Sequence, residues 1–116
     1  VTAPPRVFHL TTPAEWAEAR RAGRLVPQGF ADEGFVHCST LAQLVGTIER
    51  HLSGVDELAV LELDLDRLGG DLRWEESRPG ERYPHLYRPL EAGDVIASFT
   101  WHRGPDGGVE LPEGLR

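Results

Sequence analysis

A chain of 116 residues with 40% hydrophobic content and three Trp has enough apolar material for one domain with its own core, and too much for a disordered segment. Twelve basic residues, all Arg, against nineteen acidic ones leave a net charge of −7, which opposes non-specific binding to a nucleic-acid backbone. No run approaches the ~18 apolar residues of a membrane span, no basic-then-apolar leader is visible, and a single Cys fits a reducing cytoplasm while excluding an intrachain disulfide.

In chain order, "RVFHLTT" opens with the apolar–aromatic run Val7-Phe8-His9-Leu10, which reads as a short strand. "TTPAEWAEARRAG" carries the clearest helix signature. Thr12 supplies the N-cap, Pro13 the first turn, Glu15 the capping box and Gly23 the stop, while Trp16, Ala19 and Ala22 recur at helical spacing. "RLVPQGFADEG" reads as a loop. "GFVHCS" reads as a second short strand, leading into a helix capped by Thr40 with Gln43, whose apolar face is Leu41, Leu44, Val45, Ile48 and Leu52. "ELAVLELDL" is the strongest strand, "LRWEE" a weaker one, "SRPGERYP" a turn-rich loop, "HLYRPL" a short extended piece and "DVIASFTW" the last strand. The closing "HRGPDGGVELPEGLR" holds four Gly and two Pro in fifteen residues and reads as a surface tail.

Helices early and strands late predict an α+β class, with two N-terminal helices packed on a mixed or antiparallel sheet. Residues 1–103 are expected to form the domain and 104–116 a Gly/Pro-rich C-terminal tail. Neither G-x-G-x-x-G nor the Walker pattern occurs, so no glycine-rich phosphate loop is expected.

Three of the five His share a setting. His9 in "VFHLT", His37 in "FVHCST" and His85 in "YPHLY" each lie within or just after an apolar–aromatic run. If their strands are neighbours, the imidazoles converge on one pocket. Taken singly, a strand His is a hydrogen-bonded core residue, Cys38 is a small buried hydrophobe, and Ser39 and Thr40 are caps. A helix start also offers amide hydrogens to an anion, which makes Thr40 and Ser39 ligand candidates. Tyr83, Tyr87, Trp16 and Trp74 read by default as core or rim aromatics, and any of them can stack on a planar ligand. Alternation along "LRWEE" places one of Glu75 and Glu76 on the pocket face without deciding which.

The series "FHLTTPAEWAEAR", "GFVHCSTLAQL", "LAVLELDLDRL", "LRWEE", "YPHLYRPL" and "DVIASF" resembles the DUF952 family of small bacterial proteins, from about residue 7 to 100. The resemblance implies an ADP-ribosyltransferase-like fold, a split, curved sheet whose cleft grips NAD in many members. In that superfamily the first strand carries a His or Arg that anchors the ligand, a position His9 matches, with Thr11 beside it. The second motif corresponds to His37 to Thr40. The third usually supplies a catalytic Glu; this sequence departs from the pattern, offering His85 with Glu75 and Glu76 about ten residues earlier. A His-rich set is closer to the RNA 2′-phosphotransferase branch, which also uses several Arg and an RNA surface that a charge of −7 opposes.

Three readings follow. In the first, the protein is an enzyme with NAD or a related nucleotide in the cleft. His9, Thr11, Ser39, Thr40, Tyr87 and Trp16 hold the ligand, and His37, His85, Glu75 and Glu76 carry the chemistry of transfer or hydrolysis at the ribose. In the second, the same cleft binds a small nucleotide without turnover. In the third, a metal-dependent hydrolase uses His9, His37 and His85 with Cys38 or a Glu; the spacing matches no H-x-x-x-H motif, so no metal is expected. The expected protein is cytoplasmic, a monomer or weak dimer, with a small-molecule partner and no membrane.

Overall fold

The computed structural model describes residues 5–115; residues 1–4 of the expected domain and residue 116 of the expected tail lie outside the described residues. Strand β1 (Val7–Thr11) leads through Thr12 into helix α1 (Pro13–Ala22). The cap forms as the sequence dictates: the Glu15 amide donates to Thr12 Oγ1 at 3.1 Å, the Thr12 amide to Glu15 Oε1 at 3.3 Å, and Gly23 ends the helix at φ 89°. A two-residue strand β2 (Arg24–Leu25) and a one-turn helix α2 (Phe30–Glu33) follow, where a loop was expected. Both are too short to leave a periodic signal, and β2 exists because it pairs with distant β8 (Leu90–Glu91).

The predicted strand in "GFVHCS" is two strands belonging to different sheets, β3 (Val36–His37) and β4 (Ser39–Thr40), with Cys38 between them. The helix after them begins as a 3₁₀ turn, Leu41–Gln43, and becomes α3 (Leu44–His51). Strand β5 (Glu57–Leu63), the single turn α4 (Leu65–Leu68), β6 (Leu72–Arg78), β7 (Glu81–Leu86) and β9 (Val95–His102) complete the fold. Strand β7 starts inside the segment read as a loop. Its Pro84 looks like a strand breaker, but cross-strand pairing with β6 carries the chain through it.

The architecture is α+β, and every strand pairing is antiparallel. One sheet has the order β4-β1-β5-β9, a second β3-β7-β6, and β2-β8 forms a small ribbon. Strand β5 explains its near-continuous apolar sequence by being covered on both faces. Leu58 and Val60 join one buried cluster with Phe8, Ile48 and Trp101, while Ala59, Leu61 and Leu63 join another with Val7, Ala19 and Val36. Residues 104–115 contain no helix or strand, yet they are not a loose surface tail. Val109 and Leu111 pack on the Trp101 cluster, Leu115 is buried within it, and Arg103 ties the segment down through the carbonyls of Leu52, Val55 and Gly107. Among the described residues no helix is long and apolar enough to cross a membrane.

One buried charge fixes the β8–β9 junction. Asp94 is fully buried; its carboxylate accepts from Arg88 Nη1 at 2.8 Å, Arg88 Nη2 at 3.1 Å, Arg67 Nε at 3.2 Å and the Glu91 amide at 2.8 Å. Burial alone would raise its pKa, but the Arg88 hydrogen bonds, with those of Glu91 and Arg67, hold it below the ordinary value. The depressed native pKa means that stabilisation is present above the unfolded-state value near 3.8 and is lost as pH falls through the native one. Asp94→Ala should therefore cost about 3 kcal/mol at pH 7 in denaturant titration, since removing one partner strands the others. The gap to the wild type should narrow below pH ~4; an unchanged midpoint at pH 7 contradicts this role.

Candidate functional site

The change of sheet at Cys38 builds the site. On one side β3 pairs with β7 so that His37 lies directly opposite His85; on the other β4 pairs with β1, with Ser39 opposite Phe8. Directly opposed residues of an antiparallel pair present their side chains to the same face. The His37 and His85 rings accordingly sit 5.5 Å apart, edge to face. Phe35, two residues before His37, stacks on His85 with centroids 4.1 Å apart and meets His37 edge-on at 4.8 Å. The His37 carbonyl points to β1, where it accepts a hydrogen bond from His9 Nδ1 at 2.8 Å. His9, His37 and His85 line one cavity of about 640 Å³, a volume within the usual range for small-ligand pockets.

Each imidazole is held differently. A carbonyl can only accept, so His9 Nδ1 carries the hydrogen and the neutral ring presents Nε2 as an acceptor. Burial lowers the His9 pKa, partly offset by the bond to His37 and by the charge of Glu15, so the ring is neutral. His85 is buried, and its Nδ1 donates to Glu75 Oε1 at 2.9 Å. The Tyr87 hydroxyl donates to the same oxygen at 2.5 Å. The Tyr87 and His85 hydrogen bonds keep the Glu75 carboxyl below its ordinary pKa, as an acceptor for both. His85 Nε2 is buried with no hydrogen-bond partner among the described residues. His37 is the exposed member, its Nε2 2.8 Å from Glu33 Oε2 at the end of α2.

The remaining candidates divide. Thr11 lines the cavity and donates to Glu15 Oε1 at 3.1 Å. Ser39 lines it too, sharing a hydrogen bond with Thr47 of α3 at 2.9 Å. Thr40 does not belong to the wall, and its own amide donates to Gln43 Oε1 at 3.0 Å. Trp16 packs on the core beneath Arg20, away from the cavity. Glu75 is the member of its pair that reaches a histidine; Glu76 turns outward to the Gly80 amide. Neither of them, nor Tyr87, lines the cavity, so Glu75 and Tyr87 act on His85 from outside the wall. Cys38 lines the cavity, but burial pushes its thiol up to about 12, leaving no thiolate for nucleophilic or metal chemistry near neutral pH. Among the described residues no group of three or more His, Cys, Asp or Glu is arranged to hold a metal ion.

Wall residues that the sequence reading did not single out include Glu33, Arg50 and Arg78. Only the i, i+4 spacing of Glu33 and His37 hinted at a pairing, and that spacing has meaning in a helix, whereas these two flank the turn at Gly34. The tautomer of His9 is open to a direct check. Nitrogen-15 NMR should find the Nδ1–H form, titrating below the ordinary value of ~6.5. Because the native pKa is lowered, the stability contributed by neutral His9 is present above pH ~6.5 and lost as pH falls through the native pKa. An Nε2–H form, or a midpoint above 6.5, overturns the assignment.

The profile of the family described as "protein of unknown function (DUF952)" matches residues 10–98. No curated protein matches the chain. The crystal structure of protein CC0527 from Caulobacter crescentus is 33% identical with a TM-score of 0.85, over 95% of this chain and 97% of that one. The solution structure of CC0527 is 34% identical with a TM-score of 0.79, over 91% and 92% of the two chains. Matched across most of its length in sequence and in shape, the chain belongs to the DUF952 family.

Proposed function

We propose that the cleft, on an ADP-ribosyltransferase-like fold, binds NAD or a related nucleotide, and that His85 moves a proton in transfer or hydrolysis at the ribose. The observation that carries this reading is the state of His85: oriented through Nδ1 by a carboxylate, with Nε2 buried and unpartnered on a residue that lines the cavity. A buried polar atom without a partner costs roughly 1–3 kcal/mol, a cost removed by a ligand that bonds to it. A carboxylate on one imidazole nitrogen also fixes the tautomer that leaves the other as a base.

His9 complements this role. Its Nε2, an acceptor without a partner among the described residues, suits a ribose hydroxyl as donor. In hydrolysis, the bond from C1′ to nicotinamide nitrogen breaks and a bond from C1′ to the attacking oxygen forms. A proton of the attacking water passes to His85, the remaining hydroxyl stays on C1′, and nicotinamide, whose ring nitrogen is cationic while bound, leaves neutral. One observation favours binding without turnover instead: neither Glu75 nor Glu76 lines the cavity, so no β6 carboxylate touches the ribose.

Heat stability measured with NAD and ADP-ribose tests the reading. At about 100 times its Kd, a true ligand adds about 2.7 kcal/mol. His85→Gln should reduce that shift, because the ligand loses its bond to Nε2, and lower nicotinamide release by about 100-fold or more. Saturable binding with no product selects the non-catalytic reading. No stabilisation by either compound sinks the nucleotide proposal altogether.

A further inference from the structure

Helix α3 contains a residue that its own stability does not explain. Gly46 lies in the helix interior, where glycine is the least favourable residue apart from proline. A Cβ on Gly46 would sit 2.7 Å from Arg50 Nη1 and 3.4 Å from Arg50 Cζ and Nη2. The guanidinium one turn further on therefore folds back across the space that glycine leaves. There its Nη2 donates to the Tyr83 hydroxyl at 2.6 Å, and both residues line the cavity.

The environment of that guanidinium is unusual for a chain with a net charge of −7. Arg50 makes no ion pair among the described residues, its one hydrogen-bond partner being a neutral phenol. The side chain of Arg78, at the end of β6 on the same cavity wall, has no hydrogen-bond or ion-pair partner among them. Glu81 lies opposite Arg78 in the β6–β7 pairing, but its oxygens accept from Tyr83 at 3.1 Å and Gln43 at 3.5 Å, and it makes an ion pair with neither arginine. The acidic wall residues Glu15 and Glu33 are committed to Thr11 and Thr12 and to His37. The helix dipole accounts for a cation near the α3 C-terminus, but not for a guanidinium turned back over a glycine on a cavity wall that holds a second arginine without an ion-pair partner among the described residues.

We infer that Arg50 and Arg78 form an anion subsite in the cleft, matched to the phosphates of its ligand, and that Gly46 is the residue that positions Arg50 there. The inference rests on the nucleotide reading for what carries the phosphates, not for the anion itself. Paired guanidinium groups are suited to phosphate oxygens because each presents a planar fork of donors. The ligand then lies with its phosphates towards α3 and the β6–β7 hairpin and its ribose at the histidines.

Gly46→Ala gives the sharpest test, because it displaces Arg50 without removing charge. The full chain and its Gly46→Ala, Arg50→Gln and Arg78→Gln variants are titrated with inorganic pyrophosphate, ADP-ribose and adenosine at constant ionic strength. Each variant should weaken pyrophosphate and ADP-ribose about tenfold or more, the scale of one charged hydrogen bond, and leave adenosine unaffected. Gly46→Ala should melt no lower than the wild type, since alanine favours the helix and Arg50 is free to swing away. ADP-ribose binding that is the same in all four proteins overturns the subsite while sparing the nucleotide reading. Pyrophosphate binding that weakens in the variants, with no nucleotide bound by the wild type, upholds the subsite and removes the nucleotide. Failure of both pyrophosphate and ADP-ribose to bind the wild type overturns both.

Discussion

Between Val36 and Thr40 the backbone leaves one sheet and enters another, and the geometry of the cleft follows from that crossing. Val36 and His37 pair with β7, Ser39 and Thr40 pair with β1, and the Cys38 amide between them donates to the Pro84 carbonyl at 3.1 Å. Two sheets stitched together by one residue must diverge on either side of it. The stitch needs a small side chain, and Cys38 is buried there with its Sγ 3.7 Å from the Val36 carbonyl. The same crossing sets His37 against His85 and turns the His37 carbonyl towards His9. Three imidazoles from three strands of two sheets are thereby brought to one cavity without any local sequence motif joining them.

Charge follows a similar economy. The overall balance is acidic, yet the carboxylates nearest the cleft are each spoken for: Glu15 by Thr11 and Thr12, Glu33 by His37, Glu75 by His85 and Tyr87. Arg50 and Arg78 line the cavity without acidic partners among the described residues. A net charge of −7 repels a long polyanion, but a small anion within the cleft responds to the local cations. The two facts are compatible, since one concerns the whole surface and the other the wall of the cleft.

Elements defined by their own residues were legible in the sequence. Thr12, Pro13, Glu15 and Gly23 announced α1, and the apolar run of β5 announced a central strand. The matched settings of His9, His37 and His85 pointed to residues that do share a cavity. What escaped depends on partners far away in the chain. The extension of β7 through Pro84 is imposed by β6, and β2 by β8. Leu111 and Leu115 were masked by surrounding Gly and Pro, although Gly114 at φ 97° is what lets the chain pass the Phe99 ring. Trp16 was equally readable as core or as ligand platform, and only packing chose the core. Gly46 carried a visible signal, a glycine inside an amphipathic helix, whose meaning depended on where the Arg50 side chain lies.

The most direct measurement is a histidine-edited NMR titration of the full chain with ADP-ribose. The ring signals of His9, His37 and His85 should move together along one saturation curve, while His102, on β9 and outside the cleft, stays in place. Saturable movement of His102 with the three cleft rings unmoved, or no saturable movement at all, would contradict the assignment of the cleft as the ligand site.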